Sequence, residues 1–535
     1  MKSARYLGAA ATLALIATTA AQAQDACPTK GGTLTFSYTA EPVALSTLRT
    51  TAVTVSLMAG KIYEGLVSYE GPEMTPVPGL AESWDISEDG TVYTFHLRDG
   101  VKWHDGEPFT SADVKFGIEN AIRPYHSRGK IFFGNVTSIE TPDPLTVIFT
   151  LASPVEYFMQ GFQMTSAPML PKHILETLDV SDRQALINSS LTSEPIGTGP
   201  FKFKEWVHGD HITLTRNPDY WQAGLPCLDN IVMRSIPDGV ARGIALENGE
   251  IDLLPMNSVL DSDIARFEDM DSLEVSMRGD EGLGGIIWLD VNNREEPLSD
   301  PMVRKAISLS LDRETIRDVI WYGYGVPARG PLVSTNPFFN EKLPELEFDL
   351  EKAAALLDEA GYPADANGHR FTITQRALPN GEKFIRLAEY VRQQLGKVGI
   401  EAKIETSDYA GWLKSVFTDY NYGITSTSTD NRNDPTIGTG RRFHTKNIKV
   451  GATFENAGAY SNPEVDRLFD EGAVAPTREA RKAIFDEVQE ILVDDMPVVY
   501  LLEIPRVSVW NAKVHGLITN GISFYDNWAK VYKEE

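Results

Sequence analysis

The sequence predicts a two-lobed α/β protein with an extra α+β subdomain inserted into its first lobe. Three observations lead there. The chain has 535 residues, more than a single hydrophobic core ordinarily serves, so at least two cores are expected. Beyond residue 230, short apolar runs alternate with helical patterns in the manner of strand, helix, strand units. Two apolar strands, at 284–291 and 496–502, bracket one such stretch and read as the places where the chain crosses between lobes.

The ends and the composition narrow the setting. Lys2 and Arg5 precede an apolar run at 7–17 and then Ala21-Gln22-Ala23, so residues 1–23 read as a secretory signal. That run is too short and too rich in Ala and Thr to span a bilayer, and no later segment approaches the roughly 20 apolar residues a membrane helix needs. The mature chain is expected to be soluble and not membrane-inserted, and Cys27 lacks the preceding residues of a lipid-anchor signal. Formal charge is −26 and becomes −28 once Lys2 and Arg5 leave, which excludes nucleic acid as a natural partner. Only Cys27 and Cys227 are present. In an oxidising compartment they are expected to pair, for a stabilisation on the order of 2 to 4 kcal/mol. Their separation then places both in one lobe, with much of the intervening chain as an insertion. Two cysteines cannot build a Cys-based zinc site, and no cofactor is expected.

Taken in order, residues 24–66 open lobe one with a strand at 33–38 and a helix at 52–66. The insertion is expected over 67–193. Within it, Tyr93, Phe95 and Leu97 share one face of a strand that ends at the turn Asp99-Gly100. A second turn at Asp105-Gly106 leads to a helix capped by Thr110 or Ser111, which runs to Ile122 and is stopped by Pro124. A strand at 145–151 and a helix at 174–178 follow. The chain returns to lobe one over 194–284, with a strand at 230–235, a helix at 239–248 and a strand at 251–254. Lobe two is expected over 285–504. Its helices lie at 301–311 and 313–322, then comes one capped by Asp349 and ended by Gly361. A strand at 371–375, an amphipathic helix at 382–398 and a strand at 402–405 form one unit, with Phe384, Ile385, Ala388, Val391 and Leu395 on the helix's inner face. A helix at 478–494 precedes the second crossing, and residues 505–535 complete lobe one.

Four phrases carry more than local structure: the stretch 80–113, LAESWDISEDGTVYTFHLRDGVKWHDGEPFTSAD; Gly197-Thr198-Gly199-Pro200-Phe201; Asn217-Pro218-Asp219-Tyr220-Trp221; and Asn462-Pro463-Glu464-Val465-Asp466. Together they resemble the bacterial extracellular solute-binding proteins of family 5, the peptide and nickel receptors of ABC importers. The resemblance implies a class II-like periplasmic-binding-protein fold whose lobes close on a solute by hinge motion. It also implies a periplasmic, monomeric receptor that delivers its solute to the permease's membrane subunits and catalyses nothing.

The candidate site residues follow from that expectation. No GxSxG, HExxH or phosphate-binding GxxxxGK[ST] occurs, so no catalytic residue is assigned, and a secreted hydrolase is the alternative class. His208 and His211 flank Gly209-Asp210 and read as a turn, not a metal pair. Arg376 ends a strand, where its planar guanidinium suits a carboxylate; the resemblance assigns an Arg in this loop to the peptide carboxylate, although Leu378 stands where dipeptide receptors carry Tyr. In 426–435, Ser428 occupies the family's Trp position and Asn431 that of the Asp that pairs with a peptide ammonium. Asp430 falls one place early, and Asp434 adjoins Pro435. A neutral Asn among Ser and Thr suits a sugar, polyol or amide, so an oligosaccharide or opine-like conjugate stands beside peptide as the expected solute. Arg441 and Arg442 offer an anion contact or offset surface acidity. Tyr38 and Glu41 are expected to line the cleft from lobe one, with Glu41 replacing the missing acid, and Trp412 is read as an aromatic wall or as core.

Overall fold

The computed structural model describes residues 27–534, so the signal expected over 1–23 lies outside the described residues. Period-2 burial builds the sheets. In Val92–Leu97 the side chains of Tyr93, Phe95 and Leu97 are buried while their neighbours are half exposed, as alternation requires. This strand lies in a four-stranded antiparallel sheet with Ala81–Ile86, Thr146–Leu151 and Val136–Asp143. Phe95, Phe133, Phe149, Phe158 and Phe162 meet edge to face beneath it.

A seven-stranded sheet defines lobe one, in the order Leu273–Ser276, Ser508–Asn511, Leu253–Leu254, Thr33–Tyr38, Asn230–Ser235, His211–Arg216, Phe201–Val207. Its central pair, Thr33–Tyr38 and Asn230–Ser235, is parallel. The Cys27–Cys227 disulfide ties the start of this lobe to the segment just before Asn230–Ser235, with Cα atoms 5.4 Å apart. A six-stranded sheet defines lobe two, in the order Val326–Pro327, Val498–Glu503, Gly285–Val291, Ile424–Asp430, Phe371–Arg376, Ile400–Glu405. Gly285–Val291 is buried along its whole length between antiparallel neighbours. It accordingly reads as a nearly continuous apolar run. Gly284, just before it, has φ +60° and faces the Val333 side chain so closely that a Cβ there would lie 2.8 Å away; glycine supplies both the conformation and the room.

Several helices differ from expectation. Thr110 begins the helix Ser111–Gly117, its backbone N–H donating to Asp113 at 2.8 Å. Pro124 does not stop the run: a π turn at Ile118–Ile122 continues into Arg123–Tyr125, and the irregular turn accommodates a residue that has no N–H to donate. The expected helix at 174–178 forms earlier, at Lys172–Leu175. In Glu382–Lys397, Ile385 is 40 % exposed and Leu387 is buried instead, because the sheet meets a stripe rotated from the one the spacing suggested.

The two lobes touch around the rim of the cleft between them. Lys383 of lobe two meets Asp261 of lobe one at 2.7 Å and Arg478 meets Glu73 at 3.1 Å. Asn433 donates to the Glu73 carbonyl at 3.3 Å, and the Tyr324 hydroxyl reaches Glu268 at 3.3 Å. The lobes are closed on one another.

Candidate functional site in the interlobe cleft

Arg506 follows directly on the second crossing strand, Val498–Glu503. From that position its guanidinium meets Asp430 of lobe two at 2.6 Å and Asp280, on the lobe-one side of the first crossing, at 3.7 Å. Tyr38 and Tyr525 of lobe one face the same charge. Burial works against the Arg506 cation, but Asp430, Tyr525 and Asp280 outweigh it and hold its pKa above the ordinary value. Burial pushes the Asp280 carboxyl up to about 7, with Arg506 opposing, and likewise raises the Tyr38 phenol.

Beyond this paired charge lie three more guanidiniums. Arg128 comes from the inserted subdomain and donates to the Thr165 carbonyl and hydroxyl at 3.2 Å. Arg432 and Arg441 come from the segment of lobe two that follows Ile424–Asp430. Arg432 has φ +57°, a left-handed conformation uncommon for a long side chain. Its N–H donates to Leu283 at 2.8 Å and its carbonyl accepts from Asn336 at 2.5 Å, which hold it there. The Arg441 side chain donates to the Phe454 carbonyl at 3.5 Å. All three are partly buried, and among the described residues none of the three forms an ion pair.

The other expected site residues are engaged elsewhere. Arg376 is 8 % exposed; it pairs with Glu405 at 2.8 Å and donates to the Asn421 carbonyl. Glu41 is held on the hairpin of lobe one by the Trp206 indole, by His208 at 3.1 Å and by the Gly209 N–H at 3.2 Å. Trp412 is fully buried in the lobe-two core and donates to Thr425 at 3.0 Å, so it forms no exposed wall. Asn431 is buried as well, accepting from the Val333 N–H at 2.6 Å and donating to the Pro331 carbonyl at 2.8 Å. Asp434 forms a buried ion pair with Arg481 at 2.7 Å. Arg442 is buried against Asp290 and takes no part in the cleft. Of the expected residues, Tyr38 and Asp430 come together around Arg506, with Arg441 nearby in the guanidinium group. Arg128, Arg432 and Arg506 carry no local signature in the sequence; each matters only through neighbours brought from distant segments.

Three of the four phrases that carried the resemblance meet at another place; the fourth caps the helix Pro463–Val474 in lobe two. Glu64 is buried and accepts from Thr198 at 2.9 Å, Tyr220 at 2.8 Å and Trp221 at 3.1 Å. His104 contacts the Gly199 carbonyl at 2.9 Å, and a Cβ on Gly197 would lie 2.0 Å from the Ile62 carbonyl. The Glu64 contacts tie the two segments of lobe one together, while His104 on Gly199 and Arg98 over the Trp221 ring dock the inserted subdomain on it. A small cavity of about 50 Å³ lies there, lined by Glu64, Gln163, Thr165 and Tyr525 among others. Thr165 and Tyr525 connect it to the guanidinium group.

Two lobes bridged by crossing strands around a polar cleft define a solute-binding protein. Residues 75–448 match the model of the bacterial extracellular solute-binding proteins, family 5, and the chain belongs to that family. The dipeptide-binding protein of Escherichia coli K12 is 31 % identical over 389 residues, covering 69 % of this chain and 70 % of its own. The glutathione-binding protein GsiB of Pectobacterium atrosepticum is 27 % identical over 96 % of this chain and 95 % of its own. The solved structure of DppA from Helicobacter pylori, an ABC transporter-associated periplasmic binding protein in complex with the peptide STSA, superposes with a TM-score of 0.79 at 28 % identity. It covers 95 % of this chain and 99 % of that one. Among the described residues no helix is long and apolar enough to cross a membrane, and no group of three or more His, Cys, Asp or Glu is placed to hold a metal ion.

Proposed function

We propose that this chain is the periplasmic receptor of an ABC importer, that its solute is a peptide or peptide-like molecule, and that it passes the closed complex to the permease's membrane subunits. The observation that carries the reading is the cleft itself: two lobes close over polar side chains held at the crossing strands, with Tyr38 and Asp430 arranged about Arg506. Relatives described as dipeptide- and glutathione-binding proteins support peptide as the solute class. The protein acts by enclosure, without a chemical step. Asp430 and Tyr38 face the solute, while Glu41, Arg376, Trp412, Asn431 and Asp434 hold the walls in place.

A ligand that binds only the native state raises stability by RT ln(1 + [L]/Kd). Thermal unfolding of the ligand-stripped mature protein against di- to pentapeptides and neutral oligosaccharides therefore tests the reading. A saturable, peptide-dependent rise in Tm is expected. A rise with oligosaccharides alone would assign the cleft to sugars.

A further inference from the structure

Arg128 from one wall of the cleft lies within electrostatic reach of Arg432 and Arg441 from the other, in a chain whose formal charge is −26. Two of the acids in the same region, Asp430 and Asp280, are paired with Arg506; Asp430 also acts on Arg128, Arg432 and Arg441 and Glu455 on Arg441, but neither is in ion-pair contact with any of the three. Their arrangement is built: Thr165 fixes Arg128 and the left-handed backbone of Arg432 is pinned on both sides. Residues in sparsely populated backbone regions concentrate where a side chain must be aimed.

We infer that the solute is an anion carrying at least two negative charges, and that Arg128 from the inserted subdomain with Arg432 and Arg441 from lobe two hold those charges between the lobes. This rests on the receptor reading above and specifies its solute as acidic. Guanidinium forks bind carboxylates and phosphates bidentately, so the shared chemistry is a polyanion, with acidic peptide the form expected here. The electrostatics agree. Burial lowers the pKa of Arg432 with Asp430 opposing; burial and then Arg432 lower that of Arg128, and burial and then Arg432 lower that of Arg441. A bound anion relieves that repulsion across the cleft.

Binding to ligand-stripped mature protein at fixed ionic strength tests this with four probes: trialanine, triglutamate, citrate and pyrophosphate. At least one of the three polyanions is expected to bind ten times or more tightly than trialanine, and which of them does so separates carboxylate from phosphate. Arg432→Gln and Arg441→Gln, both at partly exposed positions, are each expected to cost tenfold or more for that anion and less for trialanine, which carries a single carboxylate, with Arg128→Gln as a third variant from the other wall. If no polyanion binds tenfold more tightly than trialanine, or if the three variants bind it as wild type does, the inference is overturned. Trialanine bound as tightly as triglutamate would leave the peptide receptor standing without the polyanion. Citrate or pyrophosphate bound while no peptide is would do the reverse.

Discussion

Glu64 shows how a single residue couples architecture to pH. Burial raises its carboxyl to about 7 against the hydrogen bonds from Tyr220, Trp221 and Thr198, which favour the charged form; the nearby Asp526 adds to the rise. In the unfolded chain the group titrates near the ordinary Glu value, so between about 4.5 and 7 the folded state binds the proton more tightly. Its contribution to stability is thus complete below about 4.5 and is lost as pH rises through 7. At 1.36 kcal/mol per unit, the loss is on the order of 3 kcal/mol. Urea unfolding from pH 4.5 to 8 is expected to show that decline in wild type and a flatter profile in Glu64→Gln; parallel profiles would assign the decline to another group. Glu64 also explains what was legible at this scale. Thr198, Tyr220 and Trp221 sit in the very phrases that identified the family, and their bonds to Glu64 join the two segments of lobe one. Arg376 and Glu41 looked like ligand contacts because their loops lie at the right ends of strands. Their partners Glu405, Trp206 and His208 lie in strands or turns whose pairing no local pattern announces.

At the scale of elements, periodicity was the reliable guide and side-chain pairing was not. Alternation located Val92–Leu97, and an unbroken apolar run located Gly285–Val291, because both patterns follow from which faces a sheet buries. The segment following Ile424–Asp430 follows a different logic. It looked like a polar binding loop, yet Asn431 and Asp434 are spent inside it. Asp434 accepts from the Thr436 N–H at 2.9 Å and pairs with Arg481 at the start of the helix Arg478–Asp495, which also donates to the Gly472 carbonyl at 2.7 Å. Both side chains of the pair are 1 % exposed. Removing one charge of such a pair strands the other, at a cost of about 3 to 5 kcal/mol. Asp434→Asn is expected to lose roughly that stability in urea unfolding, while the folded fraction keeps wild-type solute affinity. Unchanged stability with weakened binding would return Asp434 to the solute site.

For the whole molecule, two opposing electrostatic contributions act on the same motion. Repulsion between Arg128 and the lobe-two pair Arg432 and Arg441 resists closure of the empty receptor. The rim pairs Lys383 with Asp261 and Arg478 with Glu73 are formed only when the lobes meet, and they favour closure. The Arg478–Glu73 pair is more than half exposed and Lys383–Asp261 about a quarter, and such pairs contribute up to about 1 kcal/mol each before salt screens them. Together they are able to shift the open–closed balance by roughly tenfold, since 1.4 kcal/mol is a factor of ten. Because a solute held by both lobes binds in proportion to the closed population, the double variant Lys383→Met, Arg478→Gln is expected to weaken solute binding by about three- to tenfold. Small-angle scattering should show a larger radius of gyration at subsaturating solute. Neither lobe's own core is touched, so the midpoint of urea unfolding of the empty protein should stay near wild type. The effect should also fade in high salt, which screens the exposed rim pairs more than the enclosed guanidiniums. Equal affinity and equal scattering in wild type and variant at low salt would show that the rim pairs do not govern closure. The balance would then rest on the guanidinium group and the solute that neutralises it.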